Sequence, residues 1–344
     1  MNQTVKKRVV VVGGGTGTHT ILRGLKTYSD IFDITAIVTM ADSGGSTGRL
    51  RDEFGQLPVG DVRMALAALA SAEGKHDELL RELFLYRFSR GDGLAGHTFG
   101  NLFLTALTDI LGSSSEAIGT AGRILRVSGE VIPVTTDNVH LKATYDDGHV
   151  VVGEHHIDVP PASRHHNTIT HLELTPRAIL NPAAAAALEA ADLIIFGPGD
   201  LYTSILANCV VDGFASAVAK SQAVVVYVSN LMSRPGQTSG MHSAEHTAEI
   251  AAYLGRWPDY VLINSAPFPA DILARYDLEK TYPVENNSDT DVCTVHVRDL
   301  VATESIVTVA GDVIARSLIR HDSIKLAEAI VEIAALLPRN SPRS

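Results

Sequence analysis

Four times in this chain a short apolar run stops at a loop built from glycine, serine, threonine or asparagine. That recurrence restricts the fold more than any other feature. Val9–Val12 runs into Gly13–Thr18, Ile34–Met40 into Ala41–Arg51, Asp192–Phe196 into Gly197–Ser204, and Ala223–Val228 into Ser229–Thr238. An apolar run without polar alternation suits a strand buried on both faces, the strand of a parallel sheet. After the first loop, Thr20–Lys26 begins a helical pattern with Ile21, Leu22 and Leu25 on one side. Strand, glycine loop, helix and strand in succession make a βαβ unit. The class is therefore α/β, and ligands of such a sheet meet the loops beyond the carboxyl ends of its strands.

The rhythm continues along the chain. Pro58–Asp61 introduces a helix, with Asp61 as its candidate cap. His76–Phe88 is amphipathic, His97–Leu111 repeats apolar residues at helical spacing, and Ala183–Ala187 reads as helix. Gly240–Leu254 and Ser323–Leu337 are further helices, and Tyr260–Asn264 is a strand. Composition turns β-rich over about 127–175, where Asp147-Gly148 marks a hairpin turn. This stretch reads as an antiparallel insertion. With no internal repeat and no low-complexity linker, residues 1–344 read as a single α/β nucleotide-binding domain.

Bulk properties narrow the function. Hydrophobic residues are 45% and charged residues 19%, the balance of a folded globular chain. The net charge of −11 argues against a nucleic-acid partner, which requires a basic face. Small phosphorylated ligands remain compatible, because backbone amides bind them without net positive charge. Cys209 and Cys293 stand in apolar or β-like contexts, which fits a reducing compartment. The four valines after Lys6-Lys7-Arg8 are too few for a signal-peptide core, and no run is long enough to cross a membrane. The expected location is cytoplasmic, without membrane insertion.

Gly13-Gly14-Gly15-Thr16-Gly17 lets the backbone approach an anion and aims helix-start amides at it. It is neither a dinucleotide fingerprint, since Thr18 replaces the third glycine, nor a phosphate-binding loop of the lysine type. Asp42 can hold a ribose hydroxyl, bind a metal, act as a base, or close an Asx turn. Arg49 and Arg51 can pair with phosphate or with Asp52 and Glu53. Asp200 and Ser204 are caps or ligand contacts, as are His97 and Asn101 at the start of their helix. His155, His156, His165, His166 and His171 lack consistent metal-ligand spacing. Doublets on a strand would face opposite ways, so no metal is assigned.

Taken together, "GGGTG", "AIVTMADSGGSTGRLRDEFGQLPVGDVR", "LFLYRFSRGDGLAGHTFGNLFLTAL", "ADLIIFGPGDLYTSILAN", "VYVSNLMSRPGQT" and "IRHD" resemble the gluconeogenesis-factor (YvcK-like) branch of the superfamily that holds 2-phospho-L-lactate transferase. The likeness spans nearly the whole chain. It implies a Rossmann-like three-layer fold with a mainly parallel sheet. It also implies binding of a UDP-sugar or another nucleoside diphosphate, and a role in cell shape and growth on gluconeogenic carbon sources. The "GGSTGRLR" continuation after Asp42 favours this branch over the transferase branch. By motif, the resemblance implies ligand contacts at Gly14, Gly15, Thr16, Gly17, Asp42, Ser43, Gly44, Asn101, Tyr202, Thr203, Ser204, Asn230 and Arg320. If the chain is instead a transferase of a phosphate-linked group, Asp42 would organise magnesium or activate the acceptor alcohol. Departures from the family pattern fall at Ser43, Asp200, Gln237 and Ala207; an acid at Asp200 would repel a phosphate there. Homo-oligomers and protein partners stay open, including a scaffold whose ligand sets its conformation.

Overall fold

The computed structural model describes residues 5–303 and 318–337. The domain limits expected at 1 and 344 lie outside these residues. In chain order the strands are β1 (Lys7–Gly13), β2 (Phe32–Val38), β3 (Glu130–Pro133), β4 (His140–Tyr145), β5 (Val150–Val152), β6 (Ile169–Thr175), β7 (Leu193–Phe196), β8 (Val224–Val228), β9 (Tyr260–Asn264) and β10 (Thr294–Arg298). The helices before β3 are α1 (Gly15–Leu25), α2 (Gly45–Phe54), α3 (Gly60–Leu69), α4 (Lys75–Leu85), α5 (Phe99–Leu111) and α6 (Ser114–Ile124). Those after β5 are α7 (Glu154–Asp158), α8 (Pro182–Ala190), a π-type turn Leu201–Leu206 running into α9 (Ala207–Cys209), α10 (Phe214–Lys220), α11 (Ser243–Leu254), α12 (Ala270–Leu278) and α13 (Ser323–Leu336).

Seven strands form one parallel sheet in the order β10-β9-β8-β7-β1-β2-β3. Val9 to Val12 and Leu193 to Phe196 are buried at every position, which requires cover on both faces of the sheet. Helix α1 packs against α3 and α13, and α10 packs against α8 and α11. These are the helical coverings of a three-layer α/β fold. No described helix is long and apolar enough to cross a membrane. Cys209 and Cys293 are buried free thiols.

Several expectations need correction. The β-rich stretch is not one unit: β3 pairs in parallel with β2 and is the edge of the main sheet. The antiparallel sheet is β5-β4-β6 alone, with the hairpin closed by Gly148 donating to Tyr145. His155 and His156 sit in α7, not on a strand, so the argument from opposite strand faces does not apply to them. In addition, α1 starts at Gly15 rather than at Thr20, because the glycine loop is itself the first helical turn.

Candidate functional site

The chain builds outward from β1 through β2 to β3, then returns to β7 on the other side of β1. The order therefore reverses between β1 and β7. In an open parallel sheet that reversal opens a crevice between diverging loops. Here the loops after β1 and β7 meet closely. A side chain at Gly17 would place its Cβ 2.1 Å from the Pro198 carbonyl oxygen, so only glycine lets α1 start against that backbone. The Asn230 amide, after β8, donates to the Gly199 carbonyl at 2.8 Å, and Tyr227 Oη donates to Asn230 Oδ1. The Asn208 amide donates to the Gly13 carbonyl.

The loop after β2 joins from the other side through carboxylates. Asp42 Oδ1 accepts from the Gly44 amide at 2.9 Å, closing an Asx turn. Asp61, expected from sequence to cap α3, does not do so. Val59 occupies the cap position, and Asp61 Oδ1 accepts from the Gly15 amide at 2.9 Å. That amide is therefore already occupied, and the first-turn amides left for a phosphate are those of Thr16 and Gly17. Gly14 and Gly60 are forced by the same carboxylates: a Cβ on either would sit 2.4 Å from Asp61 Oδ2 or Asp42 Oδ2.

Helix α7 roofs this crevice. Glu154 accepts from the Ser43 amide, and the His155 amide donates to Ser43 Oγ at 3.0 Å. At its other end Asp158 accepts from Arg234 at 2.7 Å and from Gln237, both in the loop after β8. Five carboxylates thus gather here with two arginines. Burial and then the charge of Asp42 push Asp61 up to about 7, against the Gly15 amide and Arg63. Burial, then Asp42 and Asp158, push Glu154 up to about 9. Burial also raises Asp42 and Asp200. Arg63 is buried, its guanidinium lowered to about 10 by desolvation and then by Arg87. Burial alone would lower Arg234 as well, but Asp200 and Asp158 outweigh it.

Several expected ligand contacts are engaged elsewhere. Asn101 is buried, accepts from Arg63 Nε at 2.8 Å and donates to Ser46 Oγ, so it locks α2 to α3 and α5. Thr98, not His97, caps α5, while His97 Nδ1 pairs with Ser46 Oγ. Tyr202 and Thr203 are buried, and Tyr202 Oη donates to the Ile169 carbonyl in the insertion. Asp200 makes no cap; it faces Asp158 and Arg234. Ser204 is half-buried beside Gly199; Gly15, Gly17 and Gly44 are half-buried, Thr16 is exposed, and Gly14 is buried against Asp61 and Thr39. Arg320 is half-buried, and the next residue, His321, bonds to Ser229 at the end of β8. Asp322 caps α13 through Ile324 and Lys325, as its position suggested. Arg63, Glu154, Asp158 and Arg234 were not singled out from sequence, and Asp61 was singled out only as a helix cap. Asp61 had a helix-start signal that concealed its reach to Gly15.

Among the described residues no three His, Cys, Asp or Glu side chains stand as a ligand set for a metal ion. Asp42 and Asp61 each set one carboxylate oxygen beside a glycine, and Thr47 also bonds to Asp42. Magnesium is commonly held by one or two carboxylates together with water and substrate phosphates.

Comparison with known proteins follows the same lines. Residues 9–304 match the family described as 2-phospho-L-lactate transferase CofD. The chain is 48% identical over 279 residues to a putative gluconeogenesis factor of Nostoc sp., which covers 80% of this chain and 59% of that one. To a putative gluconeogenesis factor of Thermotoga maritima it is 42% identical, over 95% of this chain and 99% of the other. The X-ray structure of a Bacillus halodurans protein superposes with a TM-score of 0.84 at 36% identity, covering 95% of this chain and 100% of that one.

Proposed function

The chain belongs to the CofD family, among relatives named gluconeogenesis factors, and from that premise we propose that it is a cytoplasmic regulatory protein that binds a nucleotide sugar of the UDP-sugar type. Its role would be in cell morphogenesis and growth on gluconeogenic carbon sources. The observation that carries this reading is the convergence of the loops after β1, β2, β7 and β8 at the reversal of strand order. The Thr16 and Gly17 amides would receive the diphosphate at the helix start. Ser204 and Asn230 would read hydroxyls, and Arg320 would neutralise phosphate charge from the β8 side. Asp42 and Asp61, set behind the glycines, would meet ribose hydroxyls rather than phosphate. Calorimetry with UDP-N-acetylglucosamine tests this. Saturable heat is expected, weakened at least tenfold (about 1.4 kcal/mol) by Arg320→Ala. No heat at millimolar ligand with folded protein overturns it.

A second reading has one observation in its favour. Asp61, pushed up to about 7, can hold or release a proton near neutrality beside Asp42. In a transferase of the phospholactate type, these two carboxylates would hold magnesium with the donor's phosphates, or one would take the acceptor alcohol's proton. An assay with a guanylylated lactate donor and a deazaflavin alcohol distinguishes the two. Product that requires Asp42 favours the transferase; none, with or without magnesium, leaves the regulator.

A further inference from the structure

Helix α5 is apolar on its outer face as well as its inner one. Inward it buries Gly100, Asn101, Leu104 and Thr105. Outward, Phe99, Leu102, Phe103, Ala106 and Ile110 recur at three- and four-residue spacing, and Asp109 is the one charged residue of the helix. A helix at a water-facing surface is polar on its outer side, whereas a helix apolar all round belongs in a core. The stripe continues onto α4 and the turn after it. Phe103 packs edge-on against buried Phe84 of α4 and stacks on Phe99, whose amide donates to the Tyr86 carbonyl. Ile110 is 76% exposed, Leu79 65%, Tyr86 51% and Leu83 41%. With half-buried Phe99, Leu102 and Phe103, these leave on the order of 500 Å² of apolar surface open to water, taking ~200 Å² for a whole large side chain.

We propose that this face pairs with the same face of a second copy, α5 against α5, about a two-fold axis near Ala106. An interface of standard size takes about 800 Å² from each partner, and in homodimers about 65% of it is apolar, which is the area this face supplies. Each chain carries a net charge of −11, so two copies can meet closely only across a face whose centre is uncharged. The rim is acidic at exposed Glu78, Glu82 and Asp109, which an anionic membrane would repel and which solvent screens at the edge of a dimer. The stripe is also self-complementary. With the two helices antiparallel, small Ala106 lets the backbones close, and Leu102 and Phe103 lie against Ile110 of the partner subunit. The stripe faces away from Asn101 and Arg63, so the pairing does not depend on the nucleotide reading.

Sedimentation equilibrium on the full chain tests it. A monomer–dimer equilibrium is expected, with dimer dominant at ~10 µM chain. Ile110→Asp, which changes an exposed side chain, should raise the dimer dissociation constant by about tenfold or more while the far-UV spectrum of the folded chain is kept. Leu278→Asp, at an 84% exposed position of α12 outside the stripe, should leave it unchanged. Ala106→Cys should give a covalent dimer on oxidation, since Cys209 and Cys293 are buried, and adding Ile110→Asp should suppress it. A monomer at ~100 µM overturns the proposal, even if the face then binds vesicles or another protein. So does a dimer that Ile110→Asp leaves intact, one that Leu278→Asp dissolves, or a dimer of Ala106→Cys that forms no cross-link.

Discussion

Asp61 and Glu154 show how the crevice is poised at the scale of single residues. Asp61 accepts from Gly15 while facing Asp42, so its hydrogen bond and its charge act in opposite directions. Asp61→Asn keeps the acceptor and removes the charge; at pH 8 its thermal midpoint should exceed that of the natural protein. Asp61→Ala removes the acceptor and should lose about 1–3 kcal/mol in urea unfolding, the cost of a buried amide without a partner. Glu154 follows the sign of a raised carboxyl. The folded chain holds its proton up to about 9, and the unfolded chain releases it near 4.5. Its contribution to stability is thus complete below about pH 4.5 and is lost as pH rises toward 9. Glu154→Gln should flatten the fall of the melting temperature across that window and raise it at pH 8. Neither role is legible in the sequence. Asp61 sits where a cap would sit, and its partner is 46 residues away. Glu154 belongs to a segment whose β-rich neighbours concealed a single helical turn.

At the scale of elements, the chain's apolar patterns were sufficient to find most strands and helices. Runs such as Leu193–Phe196 and Tyr260–Asn264 are buried on both faces, and no other environment in a parallel sheet produces them. The start of α1 was harder to see, because glycine carries no propensity for helix. Its reason is tertiary: Gly17 must pass the Pro198 carbonyl, and Gly24 must pass the Ser323 carbonyl, where a Cβ would come within 1.9 Å. Gly17→Ala should therefore cost about 1–3 kcal/mol or more by overpacking, despite alanine's better helix propensity. Chemical denaturation would check the sign, and a gain in stability would contradict this packing.

Across the whole molecule, the insertion and the main sheet are joined by α7. Arg234 and Gln237 hold its carboxyl end, Ser43 holds its amino end, and Ser239 Oγ donates to the His165 carbonyl just beyond. Arg234→Ala leaves Asp158 and Asp200 without their cation. It should speed amide hydrogen exchange over residues 154–166 while leaving β1 and β2 protected. The fold class and the loop convergence were legible because they follow from burial and glycine placement. The roof and its ionic clasp were not, since they join residues 76 to 112 positions apart.

Central strand β1 pairs on one side with β2, made within the next 25 residues, and on the other with β7, which is complete only at Phe196. During synthesis the nascent chain therefore carries a bare hydrophobic strand edge for well over a hundred residues. The amino-terminal third must wait on the ribosome, or on a chaperone, for its missing neighbour. Fragments truncated before Leu193 should accumulate as aggregates, and arrest of translation just after the emergence of β7 should mark the first protease-resistant intermediate.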